Sequence, residues 1–132
     1  MIIYQAKIPL NPRTKKNNQK IIKNKRTGSL MVVQNDRYLQ YERNAGWFLK
    51  KIPQPISEPV NVKCTFYRPD RKRVDLTNLL EAIDDILVKY KIIKDDTFTI
   101  LAGHDGSRVL VDKDNPRTEI EITRIYENDV NA

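Results

Sequence analysis

The sequence predicts an α/β (α+β) domain in which a mixed β-sheet packs with two main helices. Three observations predict it. Val60, Val62, Cys64 and Phe66 alternate with Asn61, Lys63, Thr65 and Tyr67, the period-two pattern of a half-buried strand. A little further on, Leu76, Leu79, Leu80, Ile83, Ile86, Leu87 and Tyr90 fall within an arc of about 120° when successive residues are turned by about 100°, as in an amphipathic helix. Ile120, Ile122 and Ile125 then alternate with Glu119, Glu121 and Arg124, a second strand with one polar face.

Taken in order, residues 2 to 9 are β-branched and aromatic enough for a strand, and Pro9 and Pro12 separate it from the next segment. From Arg13 to Arg26 there are seven basic residues and no acid, interleaved with Asn11, Asn17, Asn18 and Asn24. Without apolar periodicity this segment reads as a loop or an irregular hairpin. Leu30 to Val33 is a short strand, and Asn35 or Asp36 can cap a helix running to about Lys51. That helix carries a loose stripe of Tyr38, Leu39, Tyr41, Ala45, Trp47, Phe48 and Ile52. Pro53, Pro55 and Pro59 form a rigid connector into the alternating strand from Val60, where Cys64 reads as a core thiol. The second helix spans about Leu76 to Tyr90, with Asn78, Glu81, Asp84 and Asp85 off its apolar arc. Phe98, Ile100 and Ala102 suggest a strand, Asp105-Gly-Ser a turn, Arg108 to Val111 another strand, and Thr118 to Ile125 the last. Strands and helices then run β, β, α, β, α, β, β, β.

At 132 residues the chain is one domain, 1–132, long enough to bury roughly two thirds of its unfolded surface. No apolar run approaches the length of about 20 residues that a bilayer requires. The N-terminus has neither a basic leader nor a long apolar segment, and the single Cys64 cannot form an internal disulfide, which places the chain in a reducing cytoplasm. Net charge is +7, and its distribution says more. Up to Arg73 there are 17 Lys and Arg against four acids, +13; from Val74 onward there are 7 against 13, −6. One half is suited to phosphates, and the other carries acids suited to a divalent metal.

The two meet between residues 68 and 96. Arg71, Lys72 and Arg73 precede Asp75 at the N-terminal edge of the second helix; Glu81, Asp84 and Asp85 lie along it, and Asp95-Asp96 comes after a short connection. A lone Asp at a helix start is most often a cap, and an Asp-Asp pair after a helix can be only a turn. A helix of about 15 residues is roughly 22 Å long, so its ends do not meet unless the following chain returns beside it or a second subunit supplies the partner acid. His104, the single histidine, reads as a structural turn residue or a general base. Zinc-ligand spacing, a phosphate-cradling glycine loop and a nucleophile elbow are all absent from the sequence.

At these residues the chain resembles the RusA family of Holliday junction resolvases. The family's pattern is a basic stretch, then Asp-x-Asp-Asn, an apolar helix with a Lys one turn in and an Asp further on, and a terminal Asp-Asp pair. Here it is carried by Arg71-Lys-Arg, Asp75-Leu-Thr-Asn78, Asp85-Ile-Leu87 and Asp95-Asp96, and more loosely by Pro-Leu-Asn-Pro-Arg-Thr-Lys-Lys-Asn-Asn near the N-terminus. The resemblance implies a small homodimeric endodeoxyribonuclease that cuts branched DNA, four-way junctions above all, in recombination and repair. It also implies Mg²⁺, with Mn²⁺ as a substitute, held by Asp75 and Asp96 and completed by Asp95, Glu81 or Asp85. Arg71, Lys72 and Arg73 would clamp phosphates, with Lys15, Lys16 and Lys20 extending the cationic surface.

Two departures matter. Thr77 stands where the pattern has its second Asp, and Glu81 stands where it has Lys. Glu81 lies one turn beyond Thr77 on the same polar face, so its longer arm can make up for the missing carboxylate, or it and Asp84 are solvated helix acids. Two other functions fit the same residues: a branched-DNA binder that has lost activity through Thr77, and an RNA- or partner-binding protein whose basic arm docks elsewhere.

Overall fold

In the computed structural model, which describes residues 1–15, 19–34 and 36–125, the predicted α+β layering is present. The elements are β1 (Ile2–Ile8), β2 (Gln19–Lys23), β3 (Leu30–Gln34), α1 (Asp36–Gly46), β4 (Val60–Arg68), α2 (Leu76–Lys89), β5 (Leu101–Gly103), β6 (Arg108–Val111) and β7 (Arg117–Arg124). The main sheet runs β1-β7-β4, with both β5 and β6 against the far edge of β4. β7 is antiparallel to β1 and β4, whereas β5 and β6 are parallel to β4. Parallel pairing requires a crossover, and α2 is that crossover.

The alternation read from the sequence decides which face is buried. Val60, Val62, Cys64 and Phe66 of β4, Ile120 and Ile122 of β7, and Tyr4 and Ile8 of β1 are all in the core. Leu79, Leu80, Ile83, Ile86 and Leu87 cover them from α2, and Tyr38, Tyr41 and Ala45 from α1. On the opposite face Tyr67 carries the Arg117 guanidinium 3.6 Å from its ring centroid, a cation–π contact on a polar surface.

Three boundaries differ from the sequence reading. Within the basic segment Gln19–Lys23 forms β2, which pairs antiparallel and in regular register with β3, so this part is a strand rather than a loop or an irregular hairpin and adds one strand to the order. Helix α1 stops at Gly46 rather than Lys51; Trp47 and Phe48 lie beyond it and are exposed, so the predicted stripe shortens to Tyr38, Tyr41 and Ala45. The predicted strand from Phe98 is a turn, since the amides of Ile100 and Leu101 both bond Thr97 O, and pairing begins at Leu101. Phe98 points into solvent.

Helix α2 ends in a tight reversal. Ile92 N donates to Leu87 O at 2.9 Å and Lys91 N to Val88 O at 3.1 Å, the paired bonds of a Schellman motif, with Lys91 in the left-handed position at φ 61°. The chain then doubles back, burying Ile92 and Ile93, and Ile93 bridges Ile56. This reversal brings the segment after the 14-residue helix back beside it within one chain, so that Asp96 reaches the flank carrying Thr77, Glu81 and Asp84.

Candidate active site

The flank of α2 that lies beside its apolar face presents Thr77, Leu80, Glu81 and Asp84, positions i, i+3, i+4 and i+7. Across from them stand Asp96 of the returning segment and His104 of the turn after β5; the six residues line one open cleft of about 240 Å³. A larger hollow around Phe98, Asn61 and Arg124 has one acid on its wall, Asp105, and so lacks the donors for a cation site.

His104 owes its place to a break in the sheet. Along one edge of β4, the pairing with β5 ends at Asn61 and the pairing with β6 begins only at Thr65. Between them the main chain of β4 lacks strand partners, and side chains of the intervening turn take over. Asn61 brackets Asp105, its Oδ1 accepting from Asp105 N at 2.7 Å and its Nδ2 donating to Asp105 O at 3.1 Å. Cys64 N donates to Ser107 Oγ at 3.0 Å, and His104 Nδ1 lies 2.8 Å from Val62 O. Gly106, at φ 85°, supplies the left-handed residue that closes the turn. With Nδ1 so anchored, the ring aims Nε2 at Asp84 Oδ2, 2.9 Å away.

This arrangement fixes a proton. A carbonyl only accepts, so Nδ1 carries a hydrogen; a proton must then lie between Nε2 and Oδ2, because two bare acceptors do not approach to 2.9 Å. The pair is imidazolium with carboxylate or imidazole with carboxylic acid. Burial raises the Asp84 pKa and outweighs the lowering by His104, with the charges of Asp85 and Asp96 adding to the rise. Burial alone would lower His104, but the Asp84 bond and charge overcome it and the net shift is upward. The other oxygen, Asp84 Oδ1, is buried and has no hydrogen-bond partner among the described residues.

Asp84 is therefore not the solvated helix acid that its place off the apolar arc suggests: it is 9% exposed, and it borders Leu80 on the helix surface. Glu81 and Asp96 face the cleft with exposed residues, as expected of groups that meet a substrate. Asp75 sits at the N-cap of α2, but its side chain makes no cap bond; its carboxylate accepts from Asn78 Nδ2 at 3.4 Å and lies 3.9 Å from Arg73 Nε. It does not line the cleft. Nor does Asp95, whose Oδ1 accepts from Asp96 N at 2.8 Å, or Asp85, which is ion-paired with Lys15.

The basic loop is ordered by an Asx turn in which Lys72 N donates to Asp70 Oδ1 at 3.0 Å, and Arg71, Lys72 and Arg73 are exposed on it. Lys15 also lies over the Tyr38 ring, 5.8 Å from its centroid, so it tethers the start of the basic arm to α1 and α2. Lys20 is on β2, paired with Val33, and Lys16 lies outside the described residues.

The donors in the cleft suit a hard divalent cation: carboxylate and hydroxyl oxygens, one of them a buried orphan on Asp84, whose pKa burial raises. They fit in kind without forming a closed cage, for among the described residues no three His, Cys, Asp or Glu converge as a metal-binding group. Mg²⁺ is commonly held by one or two carboxylates, with water and substrate filling the rest. Sequence reasoning left Asp84 among the solvated helix acids and His104 between a structural turn residue and a general base, and missed their pairing; the available signal was the position of Asp84 at the edge of the apolar arc.

Hard oxygen donors on a crossover helix and its return segment, with a basic loop leading into that helix, define a domain equipped for chemistry on phosphate esters. The chain belongs to the endodeoxyribonuclease RusA family, whose family model matches residues 9–123. No curated protein matches the chain. Membership supports nuclease activity, and no helix among the described residues is long and apolar enough to cross a membrane.

Proposed function

We propose that this chain is a divalent-metal-dependent, structure-selective endonuclease that resolves four-way DNA junctions as a homodimer in recombination and repair. The observation that carries the proposal is the cleft in which Asp96 comes to face Thr77, Glu81 and Asp84. Family membership supplies the substrate class. A four-way junction offers two cleavable strands related by a near two-fold axis, and a C₂ dimer offers two clefts related in the same way.

In this reading Asp96 and Glu81 from the cleft, with Asp75 from the start of α2, hold the metal. Asp85 is committed to Lys15, and Asp95 is bonded to the amide of its neighbour. The bound ion supplies a Lewis acid that makes water more acidic and neutralises charge on the departing oxygen. Arg71, Lys72 and Arg73 bind phosphates and set the scissile bond over the cleft, while the arm from Arg13 to Arg26 lengthens the footprint. Mn²⁺ replaces Mg²⁺ because both accept oxygen donors.

The test is a cleavage assay on a synthetic junction beside a gel shift on the same junction. Asp75→Asn and Asp96→Asn each abolish product while binding persists or tightens, because each removes a negative charge near phosphates. Most of the activity surviving in either variant refutes the metal assignment. Junction binding without cleavage by the parental chain in Mg²⁺ or Mn²⁺ identifies an inactive binder, and preference for RNA over junction DNA removes the substrate class.

A further inference from the structure

Asp84 and His104 line the same cleft as Thr77, whose hydroxyl carries no charge. We propose that Asp84, held through Oδ2 by His104, is a ligand of this cleft and presents Oδ1 to the divalent cation. His104 is then a positioning residue. The inference rests on the metal-dependent function proposed for this cleft and names which side chains complete the site.

Three features support it. Asp84 lies two helical turns beyond Thr77 on the same flank of α2, so its carboxylate borders the cleft that Glu81 and Asp96 also line. Its Oδ1 is buried without a partner among the described residues, an unfavourable arrangement unless a ligand answers it. Its Oδ2 is fixed by a ring that is itself fixed on Val62 O, so the carboxylate is oriented through two successive hydrogen bonds from the main chain of β4. Ligating carboxylates are commonly held by such outer hydrogen bonds, and loss of the outer partner typically costs 10- to 100-fold in metal affinity.

The experiment is Mn²⁺ binding to the full chain by calorimetry, without DNA, for the parent, Asp84→Asn, His104→Ala, His104→Gln and Asp96→Asn. Asp84→Asn lowers Mn²⁺ affinity at least as much as His104→Ala, which lowers it about 10- to 100-fold, as loss of an outer partner does. His104→Gln recovers part of that loss, since its amide can donate to Oδ2. As His104 is the single histidine, its imidazole ¹⁵N signals give a second readout: Mg²⁺ shifts them in the parent and leaves them unmoved in Asp96→Asn and in Asp84→Asn. A parent that binds Mn²⁺, with Asp96→Asn weakened and Asp84→Asn within twofold of the parent, overturns this inference alone. A parent that binds no Mn²⁺ overturns the metal-dependent function and this inference with it. If Asp84→Asn does not fold, the His104 pair decides: unchanged Mn²⁺ affinity in a folded His104→Ala refutes the proposal.

Discussion

Removing the charge from Asp84 should erase a pH dependence of stability that the parent chain possesses. His104 is the only histidine, so no other imidazole titrates in the background. In the unfolded chain it loses its proton near its ordinary value of 6.5, whereas in the folded chain its pKa is raised. The folded state binds more protons as pH climbs past 6.5, so stability falls with rising pH. The contribution is fully present below 6.5 and is lost as pH passes through the raised folded value. One proton limits the slope to about 1.4 kcal/mol per pH unit. Asp84, raised above 3.8, has the same sign at the acid end. Its other titratable neighbours are Asp85 and Asp96, whose charges raise it, and Cys64, which burial pushes upward, away from this window. An asparagine at 84 can donate its own amide hydrogen to a neutral Nε2, so Asp84→Asn keeps the contact and needs no shared proton. His104→Ala instead leaves Val62 O and Asp84 Oδ2 without partners, at about 1–3 kcal/mol for each group that water does not reach. Urea unfolding followed by circular dichroism at pH 6, 7 and 8 measures all three. Parent and Asp84→Asn curves that run parallel across that range would refute the shared-proton argument.

Other parts of the molecule carry their own expected outcomes. Arg71→Ala, Lys72→Ala and Arg73→Ala each weaken junction binding and lower its salt slope by about one per lost phosphate contact; an unchanged slope in all three moves the clamp to the arm from Arg13 to Arg26. Gly46→Ala puts a methyl group 2.5 Å from the Tyr90 ring, whose hydroxyl donates to Glu42 O at 3.0 Å, and the overpacking costs about 1–3 kcal/mol in a thermal melt. A melt unchanged in Gly46→Ala means the two helices have room to part. Glu81→Gln lowers cleavage, and Thr77→Asp placed in that background recovers part of it; the parental rate across a Mg²⁺ titration makes Glu81 a bystander.

The long periodic segments were legible in the sequence. The alternation at Val60 to Phe66 and at Ile120 to Ile122 defined the buried sheet face, and the apolar arc from Leu76 placed α2 to within a residue at each end. Exposed apolar residues misled it. Trp47 and Phe48 look like a continuing helix stripe and Phe98 like a strand, because composition alone does not reveal which large side chains reach solvent. Of the acids picked out by type and spacing, Asp96 returns to α2 and lines the cleft with Glu81, whereas Asp75, Asp85 and Asp95 do not line it. What stayed hidden was the Asp84–His104 pair, 20 residues apart, because it depends on the gap between β5 and β6, and a gap in a hydrogen-bond ladder leaves no period in the sequence.

That gap also governs where the sheet is easiest to open. The middle of a strand flanked on both sides is ordinarily its slowest-exchanging part, since its amides are freed only by cooperative unfolding. In β4 the amide of Cys64 is held instead by the hydroxyl of Ser107, and a single side-chain rotation releases it. Amide exchange at Cys64 should therefore run ahead of that at Val62, deep in the core though both residues are. The strand yields first at the point where its neighbour turns away to carry His104 into the cleft.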